Sequence, residues 1–194
     1  MSFLANFFLF VGVALLSGLG SAWYMIDRGS ALTTDYFGPW VVWTAAGHIE
    51  ADPYTRAHVA RSGRLPMTTS NARYYLATTD GEGDKLDADC EYAITGKGPR
   101  AEWWSLAAYD GQGRLMANTA DRYAFNSQTV MRSTNGEYTI VLARDARPGN
   151  WLPVTSSYRL RLMLRVYHPV LADDRIDSTA EQGELPTIRR LGCR

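Results

Sequence analysis

The N-terminal stretch constrains this chain most, because its first 26 residues contain no Asp, Glu, Lys or Arg. The whole chain of 194 residues carries forty such side chains, and all of them lie after this point. Residues 3–26 are long enough, as a helix, to cross a hydrocarbon core of about 30 Å. Trp23 and Tyr24 lie where interfacial aromatic side chains occur. We therefore predict a transmembrane helix over residues 1–26, in contact with the bilayer through residues 3–26.

A cleaved signal peptide is the alternative for this stretch, because Gly20-Ser21-Ala22 before Trp23 resembles a cleavage site. The stretch has no basic residue at its start, and its apolar run exceeds the usual ~7–15 residues of a signal peptide. Both features favour an uncleaved anchor. A short N-terminal tail before a long domain favours a domain translocated out of the cytoplasm.

The remaining composition limits the classes of protein. Twenty basic side chains balance twenty acidic ones, which argues against nucleic-acid binding. Two cysteines are too few for a disulfide-built mini-protein or a four-cysteine zinc site. We predict a linker over 27–71 and a folded domain over 72–194. Within the linker, the Asp52-Pro53 start and the Gly63 stop predict a short helix at about 53–62.

From residue 72 onward, short runs rich in aromatic and β-branched residues alternate with turn signals such as Asn135-Gly136. The longest run places Leu160, Leu162, Leu164 and Val166 on one face, as in a half-buried antiparallel strand. This pattern predicts a mainly β fold, an antiparallel β-sandwich of jelly-roll-like type with one short helix. The polar tail 171–184 is predicted as loop, followed by a short strand at 187–191.

Four blocks of this region resemble the domain of unknown function 1214 family: AEWWSLAAYDGQGRLMAN, RYAFNS, NGEYTIVLARDARPGNWLPV and YRLRLMLRVYHP. They keep the family's order across about residues 72–192. The preceding GPW and ADPYTRAHVARSGRLP blocks and the C-terminal cysteine resemble short, membrane-anchored members found in bacterial envelopes. The resemblance implies a β-sandwich or jelly-roll fold. It implies no established reaction and no catalytic residue, and its longer relatives carry an additional N-terminal domain.

Cys90 and Cys193 are expected to form a disulfide if the domain lies in an oxidising compartment. Such a link would join the C-terminal tail to the sheet. Two separate reduced thiols are the alternative.

Trp103 and Tyr109 are candidate ligand-binding residues. Strand alternation places Trp104 in the core and Trp103 with Tyr109 on the opposite face. There they can line a groove for a ring-shaped ligand such as a sugar or a lipid headgroup. Alternatively, the helix at 53–61 covers them.

The family pattern supplies six further candidates, in which Arg122 and Arg165 can converge on an anionic ligand. The alternative is structural: the asparagine before the tryptophan shapes a turn, the tryptophan closes the sandwich, and the arginines form ion pairs. The six residues are Asn118, Arg122, Tyr123, Asn150, Trp151 and Arg165.

Other chemistries have weaker support in the sequence. The acidic run at 80–89 lacks EF-hand spacing and is predicted to be a solvated hairpin loop. The three histidines lack metal-ligand spacing, so we predict neither metal nor cofactor. Glu102 and Asp110 are the carboxylates that an enzyme acting on carbohydrate would use, provided that they lie ~5–10 Å apart.

These observations predict a single-pass protein of the bacterial inner membrane with a periplasmic β-sandwich. We expect a non-enzymatic binding, accessory or structural component of the envelope, with a protein partner or a glycan as its ligand. The alternative is an enzyme acting on an envelope carbohydrate or a small anionic ligand.

Overall fold

The computed structural model describes residues 2–63, 65–155, 159–170 and 184–193. These residues form two helices and ten strands. In chain order they are α1 (Ser2–Arg28), β1 (Thr34–Phe37), β2 (Trp40–Trp43), α2 (Pro53–Ser62), β3 (Ala72–Ala77), β4 (Cys90–Gly96), β5 (Ala101–Asp110), β6 (Ala124–Asn126), β7 (Tyr138–Ala143), β8 (Asn150–Pro153), β9 (Leu160–Pro169) and β10 (Thr187–Cys193). Most of the tail predicted as loop lies outside the described residues.

Helix α1 is long and apolar enough to cross a membrane. Its 27 residues span about 40 Å at the rise of an α-helix. None of its residues is buried against the rest of the chain. Its length and composition fit a membrane anchor or a signal sequence.

Two sheets enclose one hydrophobic core, which confirms the predicted mainly β fold. The larger sheet has the order β1-β2-β3-β9-β5-β6, and the smaller has the order β10-β4-β7-β8. The chain changes sheets between β3 and β4 and again between β4 and β5, as in jelly-roll-like sandwiches. The even-numbered apolar residues of β9 face the core, and Trp104 stacks on Tyr138 of the opposite sheet at 5.0 Å between ring centroids.

One strand pair departs from the predicted antiparallel arrangement. Strands β7 and β8 pair in parallel, with Ile140 opposite Asn150 and Ala143 opposite Pro153. The Pro148-Gly149 pair marks a turn but does not specify the direction of the next strand. The six-residue connection is long enough for the chain to return along β7 and start a parallel strand beside it.

The segment 27–71, predicted as a linker, contributes structure to the larger sheet. Strands β1 and β2 form a hairpin, and β2 pairs with β3 through Trp40 and Ala77. The sheet therefore begins at residue 34 and not at residue 72. Each of these strands has only four residues, which is too short for alternation to identify them from sequence.

Helix α2 begins and ends where the sequence predicts. Asp52 Oδ1 accepts hydrogen bonds from the backbone N–H groups of Tyr54 and Thr55. Gly63 ends the helix at a φ of 64°, a left-handed conformation that favours glycine. These caps fix the position of the helix along the chain.

The expected disulfide between Cys90 and Cys193 is present. The two cysteines are opposite one another where β4 pairs with β10. The bond therefore holds the C-terminal strand at the edge of the smaller sheet.

Candidate functional site

A cleft of about 650 Å³ lies on the outer face of the larger sheet. Strands β2, β3, β5 and β9 form its floor, and α2 with the segment 65–69 forms the opposite side. Its volume is typical of a site for a small molecule.

The floor of the cleft follows from alternation along β9. Arg161, Met163, Arg165 and Tyr167 face outward, because their neighbours with even numbers face the core. This face is polar at both ends and apolar in the middle.

The neighbouring strands β3 and β5 also place polar residues beside Arg165 and apolar residues beside Met163. Tyr74 of β3 and Ser105 of β5 lie opposite Arg165, whereas Leu76 and Ala107 lie opposite Met163. Ala107 and Met163 are buried, whereas Leu76 is half-buried and lines the cleft. The structure thus provides both polar groups and an apolar surface for a ligand.

Arg165 and Tyr109, both predicted as candidates, contact each other in the cleft. Arg165 Nη2 donates a hydrogen bond of 2.6 Å to the Tyr109 hydroxyl oxygen. The guanidinium carbon also lies 5.6 Å from the centroid of the Tyr109 ring. This geometry holds the guanidinium group in place by a hydrogen bond and a cation–π contact.

Trp103 lies at the border of the cleft. Its ring packs against that of Tyr167, with 5.3 Å between the centroids. Burial and the neighbouring Tyr74 raise the pKa of the Tyr167 hydroxyl, although Arg165 opposes this shift. Tyr167 therefore stays neutral at physiological pH and can donate a hydrogen bond.

The charged residues that line the cleft are basic. Arg61, Arg161 and Arg165 line it together with His58, and no described Asp or Glu does. Arg61 has a carboxylate partner outside the cleft lining, since its Nη2 lies 3.1 Å from Asp27 Oδ1. The floor arginines thus give the cleft a positive charge.

Helix α2 links the cleft to the end of α1. His58 stacks on Trp43 at 3.9 Å between ring centroids, and its Nδ1 donates a hydrogen bond of 2.9 Å to the Ile26 carbonyl. The Arg61 guanidinium carbon lies 4.1 Å from the centroid of the Trp23 ring. The same helix face therefore contacts the cleft and the C-terminal turn of α1.

Asn150 lies away from the cleft, in a cluster at the edge of the sandwich. Its Oδ1 accepts a hydrogen bond of 2.7 Å from the Met131 N–H, and its Nδ2 donates to the carbonyls of Met131 and Thr139. The side chain is 5% exposed. It therefore holds the loop before β7 against the start of β8.

Three further candidates belong to this edge cluster. Asn118 bonds the backbone N–H and carbonyl of Arg122, whose Nη1 donates a hydrogen bond of 3.0 Å to the Trp151 carbonyl. Trp151 Nε1 donates in turn to the Ala143 carbonyl. Arg122 does not line the cleft, so it does not meet Arg165 in a shared site. We define the edge cluster as Asn118, Arg122, Asn150 and Trp151.

Tyr123 is half-buried beside the edge cluster and does not line the cleft. Burial and the neighbouring Asp121 raise the pKa of its hydroxyl. The predicted candidates thus fall into two regions. Tyr109 and Arg165 line the cleft, with Trp103 packed against the lining residue Tyr167, and the others lie at the sandwich edge.

The two carboxylates considered for catalysis are too far apart to act together. Glu102 and Asp110 lie near opposite ends of β5, about 26 Å apart at the rise of a strand. Glu102 Oε2 contacts His168 Nδ1 at 2.8 Å. Asp110 accepts hydrogen bonds from the N–H groups of Gln112 and Arg114, and those from Arg114 hold its pKa below the usual range. They therefore cannot form a glycosidase pair, which needs carboxyl groups within ~10 Å.

The acidic run at 80–89 begins with a structural carboxylate. Asp80 is 3% exposed, accepts from the N–H groups of Glu82 and Asp84, and lies 2.9 Å from Arg190 Nη2. Within the described residues, no group of three potential ligands could hold a metal ion. The first acid of the run is therefore buried, unlike the fully solvated loop that the sequence predicts.

Sequence reasoning missed several residues of the cleft. Arg161 and Tyr167 share the outward face of β9 with Arg165, and this alternation was the signal available for them. His58 and Arg61 lie three residues apart on α2, a spacing that by itself predicts a solvated basic face. Their contacts with the cleft and α1 depend on where α2 packs, which its sequence alone does not specify.

The fold and the cleft define a β-sandwich protein with an apolar N-terminal helix and a basic, tyrosine-rich site. Residues 71–171 match the model of a family described as "Protein of unknown function (DUF1214)". The chain belongs to this family, as its sequence blocks suggested. No functionally curated protein matches it.

Two solved structures are similar to this chain. The VPA0106 protein from Vibrio parahaemolyticus has a TM-score of 0.59 and 25% sequence identity over 74% of this chain. The match covers 36% of the Vibrio protein, so this chain spans only about a third of that relative. An uncharacterised protein from Burkholderia cenocepacia matches 94% of this chain and 42% of its own length, at a TM-score of 0.45 and 18% identity.

Proposed function

We propose that the chain is a non-enzymatic binding component of the bacterial envelope. Helix α1 anchors it in the inner membrane, and the sandwich holds a small envelope ligand, a glycan or a headgroup, on the periplasmic side. One observation carries this proposal: α2 lines the cleft and also contacts the end of α1 through His58 and Arg61. This contact supports a site next to the membrane end of the domain.

The surroundings of the α1 end support a position at a membrane surface. Four segments contact one another there, and we call them the anchor-side cap: residues 29–33, 44–50, 53–62 and 65–69. The Thr44 N–H donates to the Thr33 carbonyl, His48 hydrogen-bonds Thr69, and Arg56 of α2 donates to the Ile49 carbonyl. These contacts join the segments into one unit beside α1.

The anchor-side cap exposes large apolar side chains. Leu32, Ile49 and Leu65 are 89%, 90% and 97% exposed. Apolar side chains of surface-bound proteins insert at the boundary between the headgroups and the acyl chains of a bilayer, which removes them from water. Their location beside α1 supports a cap that rests on the lipid surface.

The disulfide supports an oxidising compartment. Bonds of this kind are rare in bacterial cytoplasm and persist in the periplasm. The Cys90–Cys193 bond closes a sequence separation of 103 residues and holds β10. This agrees with a translocated domain.

Binding fits the cleft better than hydrolysis. Its described lining offers arginine and tyrosine donors without a carboxylate, and such donors recognise anions and polar groups. The two carboxylates considered for an enzyme lie far apart on β5. A protein partner is a second kind of ligand for an accessory subunit, although the volume of the cleft suits a small molecule.

Thiol labelling of intact spheroplasts tests this topology. We expect a membrane-impermeant maleimide to label Cys90 and Cys193 only after reduction, without lysis. The matched control is a double Cys→Ser variant, which must stay unlabelled. Labelling that requires lysis but no reductant would place the domain in the cytoplasm and overturn the proposal.

Intact mass of the membrane fraction tests the anchor. We expect the full chain of 21.6 kDa to stay in the membrane fraction after carbonate extraction. A soluble product that begins at Trp23 would show a cleaved signal peptide and would overturn the anchor.

A further inference from the structure

We propose that the cleft binds an anionic amphiphile, namely a phospholipid with a net negative headgroup. The headgroup would contact Arg161 and Arg165, and the first part of the acyl chain would contact Leu76 and Leu65. This inference names the ligand of the proposed function and rests on it.

Charge complementarity is the first argument. Arg161 and Arg165 are half-buried on the cleft floor, and neither forms a salt bridge with a carboxylate among the described residues. The partner of Arg165 is a neutral hydroxyl. Two partly desolvated cations that meet no carboxylate within the described ranges favour a negatively charged ligand.

Preorganisation of Arg165 is the second argument. A guanidinium group has five N–H donors, and the Tyr109 hydroxyl accepts from Nη2. The bond and the ring contact fix the group while other donors remain for a ligand. Two oxygens of a phosphate can accept parallel hydrogen bonds from the planar guanidinium group, so a phosphate suits Arg165.

The apolar part of the cleft distinguishes an amphiphile from a plain anion. Met163 lies between the two arginines on β9, and Leu76 is its cross-strand neighbour. Leu65 lines the other side and is almost fully exposed. Met163 itself is only 4% exposed, so Leu76 and Leu65 offer the apolar surface that a phosphate without an apolar group would leave against water.

Position relative to α1 identifies the source of the ligand. Helix α2 contacts Trp23, Ile26 and Asp27 at the C-terminal turn of α1 while it lines the cleft. If α1 spans the inner membrane, this turn lies at the lipid headgroups. A lipid can then enter the cleft without leaving the membrane surface.

Calorimetric titration of the full chain in lauryl maltoside micelles tests the inference. The probes are dihexanoylphosphatidylglycerol, dihexanoylphosphatidylcholine and sn-glycerol 3-phosphate, each corrected for titration into empty micelles. We expect the phosphatidylglycerol to bind about tenfold or more tightly than the other two. Arg165→Gln should weaken its binding by about tenfold or more, because a charge-assisted hydrogen bond is lost.

Arg189→Gln is the matched control. Arg189 is an exposed arginine on β10 of the other sheet, so its loss of charge is the same but its position is outside the cleft. We expect unchanged binding. Circular dichroism of both variants establishes that they are folded.

Each contrary result overturns a defined part of the inference. Equal affinity for the phosphatidylcholine would overturn the charge assignment, and equal affinity for glycerol phosphate would overturn the apolar contact and assign a soluble phosphate. Binding of the phosphatidylglycerol that Arg165→Gln leaves unchanged would overturn the site. Failure of all three probes to bind would overturn the ligand class, whereas the proposed function fails separately if the labelling places the domain in the cytoplasm.

Discussion

Asn150 and Arg165 are both polar side chains on strands of one sandwich, and both belong to the family's sequence blocks. The amide of Asn150 bonds three main-chain groups and is almost fully buried. Arg165 bonds one tyrosine hydroxyl and faces an open cleft. The comparison teaches that shared polar residues mark two kinds of position, one that holds loops in place and one that can contact a ligand. The edge cluster and the cleft should therefore respond differently to substitution.

Asn150→Ala is expected to have the largest effect on stability. It removes three part-buried hydrogen bonds to main-chain groups, one to an N–H and two to carbonyls, at a cost of about 3 kcal/mol. Urea unfolding at 25 °C measures the change. The control substitution is Thr187→Ser, at an exposed position. A loss of stability below about 1 kcal/mol for Asn150→Ala would contradict the role assigned to Asn150.

Arg122→Gln should have a smaller effect, because its side chain is exposed. It removes the hydrogen bond to the Trp151 carbonyl, and we expect a loss of about 1 kcal/mol without a change in ligand binding. The same unfolding and titration experiments measure both quantities. A tenfold loss of lipid binding with unchanged stability would show that the edge cluster also contacts the ligand.

Asp110→Asn separates the charge of Asp110 from its turn-forming role, since an amide oxygen can still accept the same bonds. Hydrogen bonds from Arg114 lower the pKa of Asp110 in the folded chain relative to the unfolded chain. Its charge therefore stabilises the fold above the unfolded-state pKa of about 3.9. This contribution is lost as pH falls through the lower folded-state value.

We expect wild type to exceed Asp110→Asn by at most about 1 kcal/mol near pH 7, because Arg114 is largely exposed. The difference should decline as the pH falls from about 5 to 3. Unfolding curves over this range measure it. A difference that grows in acid would contradict the direction of the shift.

Tyr109→Phe should have the smallest effect on stability, below about 0.5 kcal/mol, because the ring and its contacts remain. It removes the hydroxyl that orients Arg165, so we expect about threefold weaker phosphatidylglycerol binding. Paired unfolding and titration measurements check both values. A large loss of stability with normal binding would place Tyr109 with the structural residues of the edge cluster.

The sequence was most informative where local chemistry sets the structure. The apolar N-terminal helix, the capped α2 and the alternation along β9 each follow from side-chain spacing within one element. The Cys90–Cys193 pairing was predictable because the chain has only two cysteines, so only one disulfide can form within it. Trp104 and Trp103 were placed on opposite faces by the same alternation, and the burial of Trp104 agrees.

The remaining features depend on contacts between distant segments. The four-residue strands β1 and β2 are strands because they extend the sheet beyond β3, and β8 is parallel because its short connection returns along β7. Among the predicted candidates, Tyr109 and Arg165 line the cleft, but the sequence did not predict their contact. The position of α2 over the cleft decides whether His58 and Arg61 face solvent or α1, and no local pattern encodes it.

Hydrogen–deuterium exchange of the full chain, with and without dihexanoylphosphatidylglycerol, tests the division between cleft and edge cluster most directly. We predict that the lipid slows exchange in α2 and in residues 65–71, and leaves residues 116–123 and β8 unchanged. Slower exchange confined to the edge cluster, or the same exchange everywhere with and without the lipid, would contradict the assignment of the cleft as the binding site.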